Sequence, residues 1–385
     1  MGRSNGIGSQ FVQLIEGADF RWKHFWWEAW DEMPSDVEAS VLLSRRLFSA
    51  RFSRLWPMEK GRGRLVNLLP DWNLPGAAWR GQQLTKEAEA RYFLTEEGTF
   101  DVALVAPISE EEAAFTLSVL GALGCPYVFQ VWDIMHREGL DAGQMPSFTA
   151  LLRGAEQVVG LTASIASEVN RVYEGPVELM SFGRQRTEEV QEIEAEDPFR
   201  LAVLGFLSYY EDGVDLLARA WERVRAVSQG ARLVVIGRED QLRYLPDGIR
   251  RDVEFHCFPA DEERDRILRS CHAAYLPGPL SATTALGRFS IPCRIADYLH
   301  LGLPLVGAVA RENATALFLE EIRGRGFFPA VSVDELGDVL VRLSQPKVRS
   351  EASKVALAFA HRHLDIETIR PRLLEILAGA AGVAR

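Results

Sequence analysis

The sequence predicts two consecutive α/β domains, each a mostly parallel, doubly wound sheet covered by helices. Three observations support this class. The chain has 385 residues, which is long for one hydrophobic core and suits two domains. Short apolar runs alternate with helical segments, as in chains that form parallel sheets. A charged stretch at 183–198 interrupts the alternation, which then restarts, so we place the interdomain linker there.

The first half becomes regular only after residue 100. Before it, the apolar run 11–15 is helix-like, and residues 36–56 are expected to form a helix with an arginine-rich polar face. From there the pattern predicts strand 101–106, helix 110–123, strand 127–132, helix 146–153, strand 158–162, helix 164–173 and strand 177–180. This order is typical of a Rossmann-like domain.

The second half repeats the alternation. It predicts strand 201–204, helix 214–226, strands 233–236 and 253–255, helix 262–270, strand 273–276, a turn-rich loop at 287–292, helix 293–301, a strand at 304–307, helix 317–324, a strand near 330–331, helix 333–343 and a helical tail at 351–377. We therefore expect domains at 1–182 and 199–360, the linker between them, and a C-terminal helix over 361–385.

Composition and charge exclude several classes of protein. A net charge of −11 argues against nucleic acid as a partner, since binding to duplexes needs a dominant basic face. The four cysteines form no CxxC pair, so neither a disulfide framework nor a zinc site is indicated. No apolar run approaches the ~20 residues of a membrane span. A cytoplasmic protein fits these features.

The segment 287–307, GRFSIPCRIADYLHLGLPLVG, is the most specific stretch. Arg288 and Arg294 add fixed positive charge where a helix begins, which favours an anionic ligand. Asp297, one turn further, can accept hydrogen bonds from hydroxyls such as those of a ribose. Taken alone, the segment fits an ordinary αβ unit with solvated arginines equally well. The chain lacks a GxSxG elbow, a GxxxxGK[ST] loop and an HExxH motif.

Several fragments together resemble one known family. LAVLGFL, ARLVVIGRE, VEFHCF, ERDRILRSCHAAYLPG and SIPCRIADYLHLGLPLVG, in this order, are similar to the C-terminal domain of group 1 glycosyltransferases with the GT-B fold. The similarity covers nearly all of 200–310 and extends more weakly into the first half. From Pro292 the chain resembles the family's Pro-x-Lys-x-x-Glu-Tyr-Leu-x-x-Gly-x-Pro motif.

The resemblance implies two Rossmann-like domains facing a cleft, with the C-terminal helix crossing back to the first. It also implies transfer of a sugar from a nucleotide-diphosphate sugar to an acceptor hydroxyl on a glycan, a lipid-linked sugar or a small molecule. Retention of the anomeric configuration is usual in such enzymes. No cofactor beyond the donor is expected. The absence of an Asp-x-Asp triplet suits the metal-independent GT-B class, so no metal site is expected either.

Site residues carry over from the family by position. The resemblance assigns Arg294, Gly205 and Arg238 to the donor diphosphate, Asp297 to its ribose, Phe258 to its base, Pro292 to the start of the donor motif, Gly6 and Gly8 to the first-domain glycine loop, and Asp133 to the acceptor side. Arg288 and Arg294 would stabilise the leaving group, and with Asp133 they are the catalytic candidates.

The sequence departs from the family in three places. After Gly205 the usual Arg and Lys are missing, and the first glutamate of Glu-x7-Glu is replaced by Phe289. The second glutamate is Asp297, one methylene shorter. These departures motivate an alternative: a catalytically inactive GT-B homologue that binds a nucleotide, a glycan or a protein. A nucleotide-sugar epimerase is less favoured, because no cluster of carboxylates and histidines stands out.

Two features near the start extend the hypothesis. The basic segment 45–64, after the aromatic run 25–30, could meet an acceptor or the inner face of a membrane, as in enzymes of polysaccharide biosynthesis that act on lipid-linked sugars. A solvated helix face is the favoured reading. The glycine loop SNGIGSQ should follow the first strand of the sheet, yet only three residues precede it. We therefore expect that first strand to be missing or truncated, and the natural protein to begin upstream.

Overall fold

The structure, a computed structural model, describes residues 11–16, 39–43, 65–66, 100–107, 110–134, 139–140, 143, 145–184, 186, 198–205, 207, 210–257, 259 and 261–382. These residues form two compact units. The first contains the described residues up to 181 together with those from 366, and the second contains residues 182–365. Gly6, Gly8, Phe258 and the basic segment 45–64 lie outside the described residues.

Thirteen strands are described. They are β1 (Phe11–Glu16), β2 (Ala39–Leu43), β3 (Leu65–Val66), β4 (Phe100–Val105), β5 (Tyr127–Val131), β6 (Gln157–Gly160), β7 (Val177–Leu179), β8 (Arg200–Leu204), β9 (Arg232–Gly237), β10 (Val253–Cys257), β11 (Ala273–Pro277), β12 (Leu305–Ala308) and β13 (Phe327–Pro329). The first unit holds a sheet of order β3-β2-β1-β4-β5-β6-β7, and the second a sheet of order β10-β9-β8-β11-β12-β13.

The α-helices that the structure describes lie between and after these strands. They are α1 (Glu110–Leu123), α2 (Pro146–Gly154), α3 (Ala163–Val169), α4 (Glu211–Val227), α5 (Asp247–Arg250), α6 (Asp261–Arg269), α7 (Ala285–Phe289), α8 (Arg294–His300), α9 (Ala314–Phe318), α10 (Val333–Leu343), α11 (Pro346–His363) and α12 (Ile366–Ala380). None of them is long and apolar enough to cross a bilayer.

The sheet of the first unit is parallel except at β1, which pairs antiparallel with both β2 and β4. Two predictions fail here. The run 11–15 was expected to be helix-like and forms β1, and the helix expected over 36–56 is interrupted by β2. A short apolar run satisfies helical and strand periodicity alike, and pairing on both sides decides for the strand.

Helix α12 belongs to the first unit, although it is the last element of the chain. Its Leu373, Ile376 and Leu377 are buried against Val102 of β4 and Val128 of β5. Burial of such aliphatic side chains contributes roughly 1.5–3 kcal/mol each. The C-terminal residues are therefore held by packing onto strands formed about 245 to 275 positions earlier.

The second unit has an entirely parallel sheet. Trp221 of α4 is fully buried against its central strands, and the indole Nε1 donates to Asp252 Oδ2 at 2.9 Å. Helices α4 and α10 cover the same face of the sheet as this tryptophan. Because every strand runs the same way, the carboxyl ends of β8, β9, β11 and β12 lie along one edge.

Three element predictions in the second unit need correction. The segment 287–292 was expected to be a loop, but its first residues form the end of α7. The expected helix 317–324 is α9 followed by a 3₁₀ turn at Glu320–Ile322, and the strand lies at β13 instead of 330–331. Thr284 explains α7, because its hydroxyl caps the helix by accepting from Gly287 N at 3.0 Å.

Candidate functional site

The carboxyl end of β8 turns sharply at Gly205. This residue has φ +98°, a backbone conformation that side chains other than glycine rarely adopt. A Cβ atom at Gly205 would also lie 2.8 Å from Nη1 of Arg294, and one at Gly237 would lie 3.1 Å from the Gly205 carbonyl oxygen. The ends of β8 and β9 and the Arg294 guanidinium are therefore closely packed, and a side chain at either glycine would require a neighbouring group to shift.

Arg294 opens α8 and is 5% exposed. Its Nη1 donates to the carbonyl oxygen of Leu204 at 2.7 Å, and Nη2 donates to that of Pro277 at 3.5 Å. The guanidinium also lies 5.5 Å from the ring of Tyr210, within the range of a cation–π contact. The side chain thus joins the ends of β8 and β11, beneath the glycine turn.

Arg294 forms no ion pair with any carboxylate in the described part of the chain, and its buried Nε has no hydrogen-bond acceptor there. Among the described residues, two backbone carbonyl groups and the ring of Tyr210 face this positive charge. A buried cation is costly unless it is paired. The arrangement therefore leaves a charge that an anionic ligand can neutralise.

Tyr298 lies one turn further along α8 and reaches the same strand. Its hydroxyl oxygen accepts a hydrogen bond of 2.6 Å from the backbone N–H of Leu204. Full burial raises the pKa of this hydroxyl, so the group stays protonated. Residues four apart share one face of a helix, so Arg294 and Tyr298 contact the two backbone groups of the same residue, Leu204.

A small cleft lies beside these groups in the second unit. Its lining residues come from the ends of β11 and β12 and from α7 and α9; they are Tyr210, Leu276, Pro277, Gly278, Pro279, Leu286, Ser290, Pro292, Val309 and Thr315. The walls are mostly apolar, with three hydroxyl side chains among them. Pro292, predicted to belong to the site, is therefore part of this cleft, and Tyr210 connects it to Arg294.

Arg288 lies on α7, whose Leu286 lines the cleft. Its guanidinium carbon lies 4.5 Å from the centroid of the Phe289 ring. Phe289 itself is only 2% exposed. The position where the family resemblance expects the first glutamate is thus filled by a core residue that supports an arginine.

Asp297 is part of a buried charge cluster. Its Oδ1 lies 3.2 Å from Nη1 of Arg184 and 3.6 Å from Nη2 of Arg264. Both arginines also pair with Asp265, Arg264 through Nη2 to Oδ1 at 3.0 Å. Asp297, which was predicted to bind the ribose, is therefore already held by two guanidinium groups through one of its carboxylate oxygens.

Arg238 and Asp133 are the remaining predicted residues that the structure describes. Arg238 follows β9 but is 57% exposed in its side chain and pairs with Asp240, Nη2 to Oδ2 at 2.9 Å. Asp133 follows β5 in the first unit and is half-buried. The structure thus gathers Gly205, Arg294 and Pro292 near one cleft, and it shows Arg238 engaged with a neighbouring carboxylate.

Sequence reasoning missed the contributions of Tyr210, Arg184 and Arg264. Tyr210 lies in a stretch with no recognisable motif, and Arg184 lies in what was expected to be a charged linker. Charge runs of this kind usually indicate solvated surface. The side chains of Arg184 and Arg264 are instead 7% and 9% exposed, because two aspartates meet them.

Comparison with known proteins agrees with this description. Residues 198–345 match the family model "Glycosyl transferases group 1". This range contains Gly205, Tyr210, Arg264, Arg294 and the whole cleft. No curated protein sequence matches the chain.

Solved structures show the same fold. HepE of Anabaena, solved in complex with UDP and glucose, superposes with a TM-score of 0.61 at 16% identity, covering 85% of this chain and 89% of that one. Sucrose-phosphate synthase of Thermosynechococcus elongatus gives a TM-score of 0.61 at 13% identity, covering 84% of both chains. The chain has the GT-B fold, and its resemblance to group 1 glycosyltransferases, inferred from the sequence, is confirmed over residues 198–345.

Proposed function

We propose that the protein is a glycosyltransferase, which moves a sugar from a nucleotide-diphosphate sugar to an acceptor hydroxyl. The second unit would bind the donor, since it contains the family match and the cleft. HepE, which shares the fold, has been solved with UDP-glucose. A UDP-sugar is accordingly the first donor to test.

The buried, unpaired guanidinium of Arg294 is the observation that carries this proposal. It lies at the carboxyl ends of two parallel strands, where doubly wound folds bind their ligands. A diphosphate supplies the negative charge that no carboxylate of the described chain supplies to it. Arginine suits this task because its planar, permanently charged fork matches phosphate oxygens.

The cleft would contact a part of such a donor. It is much smaller than the roughly 300–1,000 Å³ of a pocket that takes a whole ligand, so most of a nucleotide sugar would lie outside it. Apolar walls with the hydroxyls of Ser290 and Thr315 would contact sugar faces and hydroxyl groups. The ribose and base would then extend toward Asp297.

Arg294 and Arg288 would stabilise the diphosphate as it leaves, and we propose that no metal ion is needed. Removing one preorganised contact to developing charge typically costs about 3–4 kcal/mol of barrier. The transition state at the sugar carbon would resemble an oxocarbenium ion. We propose retention of the anomeric configuration, which NMR of the product anomer would test. Asp133 of the first unit would serve the acceptor side.

A donor panel tests this function. UDP-, GDP- and dTDP-sugars would be screened by thermal shift and by donor hydrolysis, with and without EDTA. We expect one donor to raise the melting temperature and to be hydrolysed in EDTA, and Arg294→Ala to abolish both effects. Arg266→Ala, which removes an exposed cation already paired with Glu263, is the matched control. No response to any donor would support the inactive homologue instead.

The acceptor can be approached in the same way. We propose a glycan, lipid-linked sugar or small-molecule hydroxyl, and product formation with each class would identify it. Flotation with liposomes of anionic lipid tests whether the 45–64 segment contacts a membrane surface. Absence of co-flotation would favour a solvated helix face for that segment.

A further inference from the structure

The carboxylate of Asp297 is held asymmetrically. Oδ1 faces Arg184 and Arg264, while Oδ2 makes no hydrogen bond within the described residues. Arg184 Nη1 also lies 3.3 Å from the Asp297 backbone carbonyl oxygen, so the arginine contacts both the backbone and the side chain of Asp297. One oxygen is thereby fixed, and the other is left to accept from a ligand.

The cluster is balanced in charge. It contains two guanidinium groups and two carboxylates, all with side chains at most 19% exposed. Asp265 pairs with both arginines and holds them in place. Because each charge has an opposite partner, the cluster can remain ionised while buried. The orientation of Asp297 is thus set by residues from two separate segments, Arg184 and the adjacent Arg264 and Asp265.

Arg184 is itself fixed where the chain passes between the two units. Its backbone N–H donates to the Leu364 carbonyl oxygen at 2.7 Å, and the residue forms an isolated β-bridge with Asp365. Arg186 Nε donates to Asp365 Oδ2 at 2.5 Å in the same place. The backbone of Arg184 is therefore held by a hydrogen bond, and this preorganises its guanidinium to contact Asp297.

We propose that Arg184 is a positioning residue for donor binding: it holds Asp297 Oδ1 so that Oδ2 presents to the ribose hydroxyls. This inference rests on the proposed function. It predicts that Arg184 affects recognition of the ribose and leaves recognition of the diphosphate unchanged.

The test compares nucleotides with and without ribose hydroxyls. Binding of UDP, GDP and ADP to the full chain would be measured by calorimetry, followed by the 2′,3′-dideoxy form of whichever binds. Hydrogen bonds to a charged group contribute ~1.5–3 kcal/mol, so the wild-type protein should prefer the ribose form about tenfold or more. Asp297→Asn should remove most of that preference.

The informative variant is Arg184→Gln combined with Asp265→Asn, which removes one cation and one anion and keeps the cluster neutral. We expect the affinity for the ribose form to fall about tenfold, to that of the dideoxy form, whose affinity stays constant. Adding Asp297→Asn should cause little further loss. The control is Arg186→Gln, which removes the neighbouring pair with Asp365 and leaves the contacts of Asp297 intact. This variant should keep the preference for the ribose form over the dideoxy form.

The outcomes separate the two proposals. If the wild-type protein binds none of the three nucleotides, the proposed function fails, and this inference fails with it. If a nucleotide binds and the Arg184 variants, including the conservative Arg184→Lys, keep the full preference for ribose, the inference is wrong and the function stands. Thermal denaturation of each variant distinguishes loss of positioning from loss of folding.

Discussion

Arg294 donates from Nη1 to the carbonyl oxygen of Leu204 at 2.7 Å, and Tyr298 accepts from the N–H of the same residue at 2.6 Å. Both side chains extend from one face of α8, so this helix binds the last residue of β8 through both of its backbone groups. The same helix carries Asp297. A single element therefore sets the strand end, the unpaired cation and the carboxylate of the candidate site.

Replacing Arg294 with lysine should impair both stability and donor binding. A single ammonium group cannot contact the Leu204 and Pro277 carbonyls together. Leaving one buried acceptor unsatisfied costs about 1–3 kcal/mol, which urea denaturation would detect. Arg238→Lys, on the surface, should change stability by less than ~1 kcal/mol. Equal stability of the two variants would contradict this account of Arg294.

Tyr298→Phe tests the second hydrogen bond between α8 and Leu204, in which the tyrosine hydroxyl oxygen accepts from the Leu204 N–H. It keeps the ring packed but removes the oxygen that the Leu204 N–H uses. Since Leu204 is buried, the unfolding free energy should drop by about 1–3 kcal/mol. Tyr244→Phe, where the hydroxyl receives only the exposed Arg243, is the control and should be nearly neutral. A neutral Tyr298→Phe would mean that water replaces the hydroxyl.

Gly205→Ala separates close packing from backbone strain when compared with Gly324→Ala. Both glycines have positive φ, but only at Gly205 would the added carbon meet Arg294; Gly324 faces open space. Strain alone should cost about 1–3 kcal/mol at each site. Gly205→Ala should cost more and should also weaken donor binding. Equal losses, with donor affinity unchanged, would show that the contact with Arg294 is unimportant.

Acid should destabilise the protein through two buried histidines. Burial lowers the pKa of His272 and of His300 to about 4. Between about pH 6.5 and pH 4 the unfolded chain binds protons at these sites and the folded chain does not. Their contribution to stability is thus complete above pH 6.5 and is lost as the pH falls toward 4.

Urea denaturation at several pH values in this range measures how the free energy of unfolding changes with pH. Each histidine should remove up to ~1.4 kcal/mol of stability per pH unit. His272→Gln and His300→Gln should each flatten the profile. An unaltered slope in both buried variants would contradict the assignment.

The sequence alone was sufficient for the α/β class, most elements after residue 100 and the group 1 resemblance. Apolar periodicity is a local property, so strands such as β4, β8 and β11 could be read directly. Prediction from periodicity failed where a local pattern fits more than one structure. The run at β1 fits either structure until β2 and β4 pair with it, and α7 depends on the Thr284 cap, which lies just before the segment expected to be a loop.

The candidate site divides in the same way. Gly205, Arg294 and Asp297 could be named from the resemblance to group 1 glycosyltransferases, because they lie at positions that match the family's motifs. Only the tertiary structure decided that Arg294 lacks a carboxylate while Asp297 is held by Arg184 and Arg264. Those partners lie 33 to 113 positions away from Asp297. Whether a charge is paired depends on which distant segments the folded chain brings within hydrogen-bond distance.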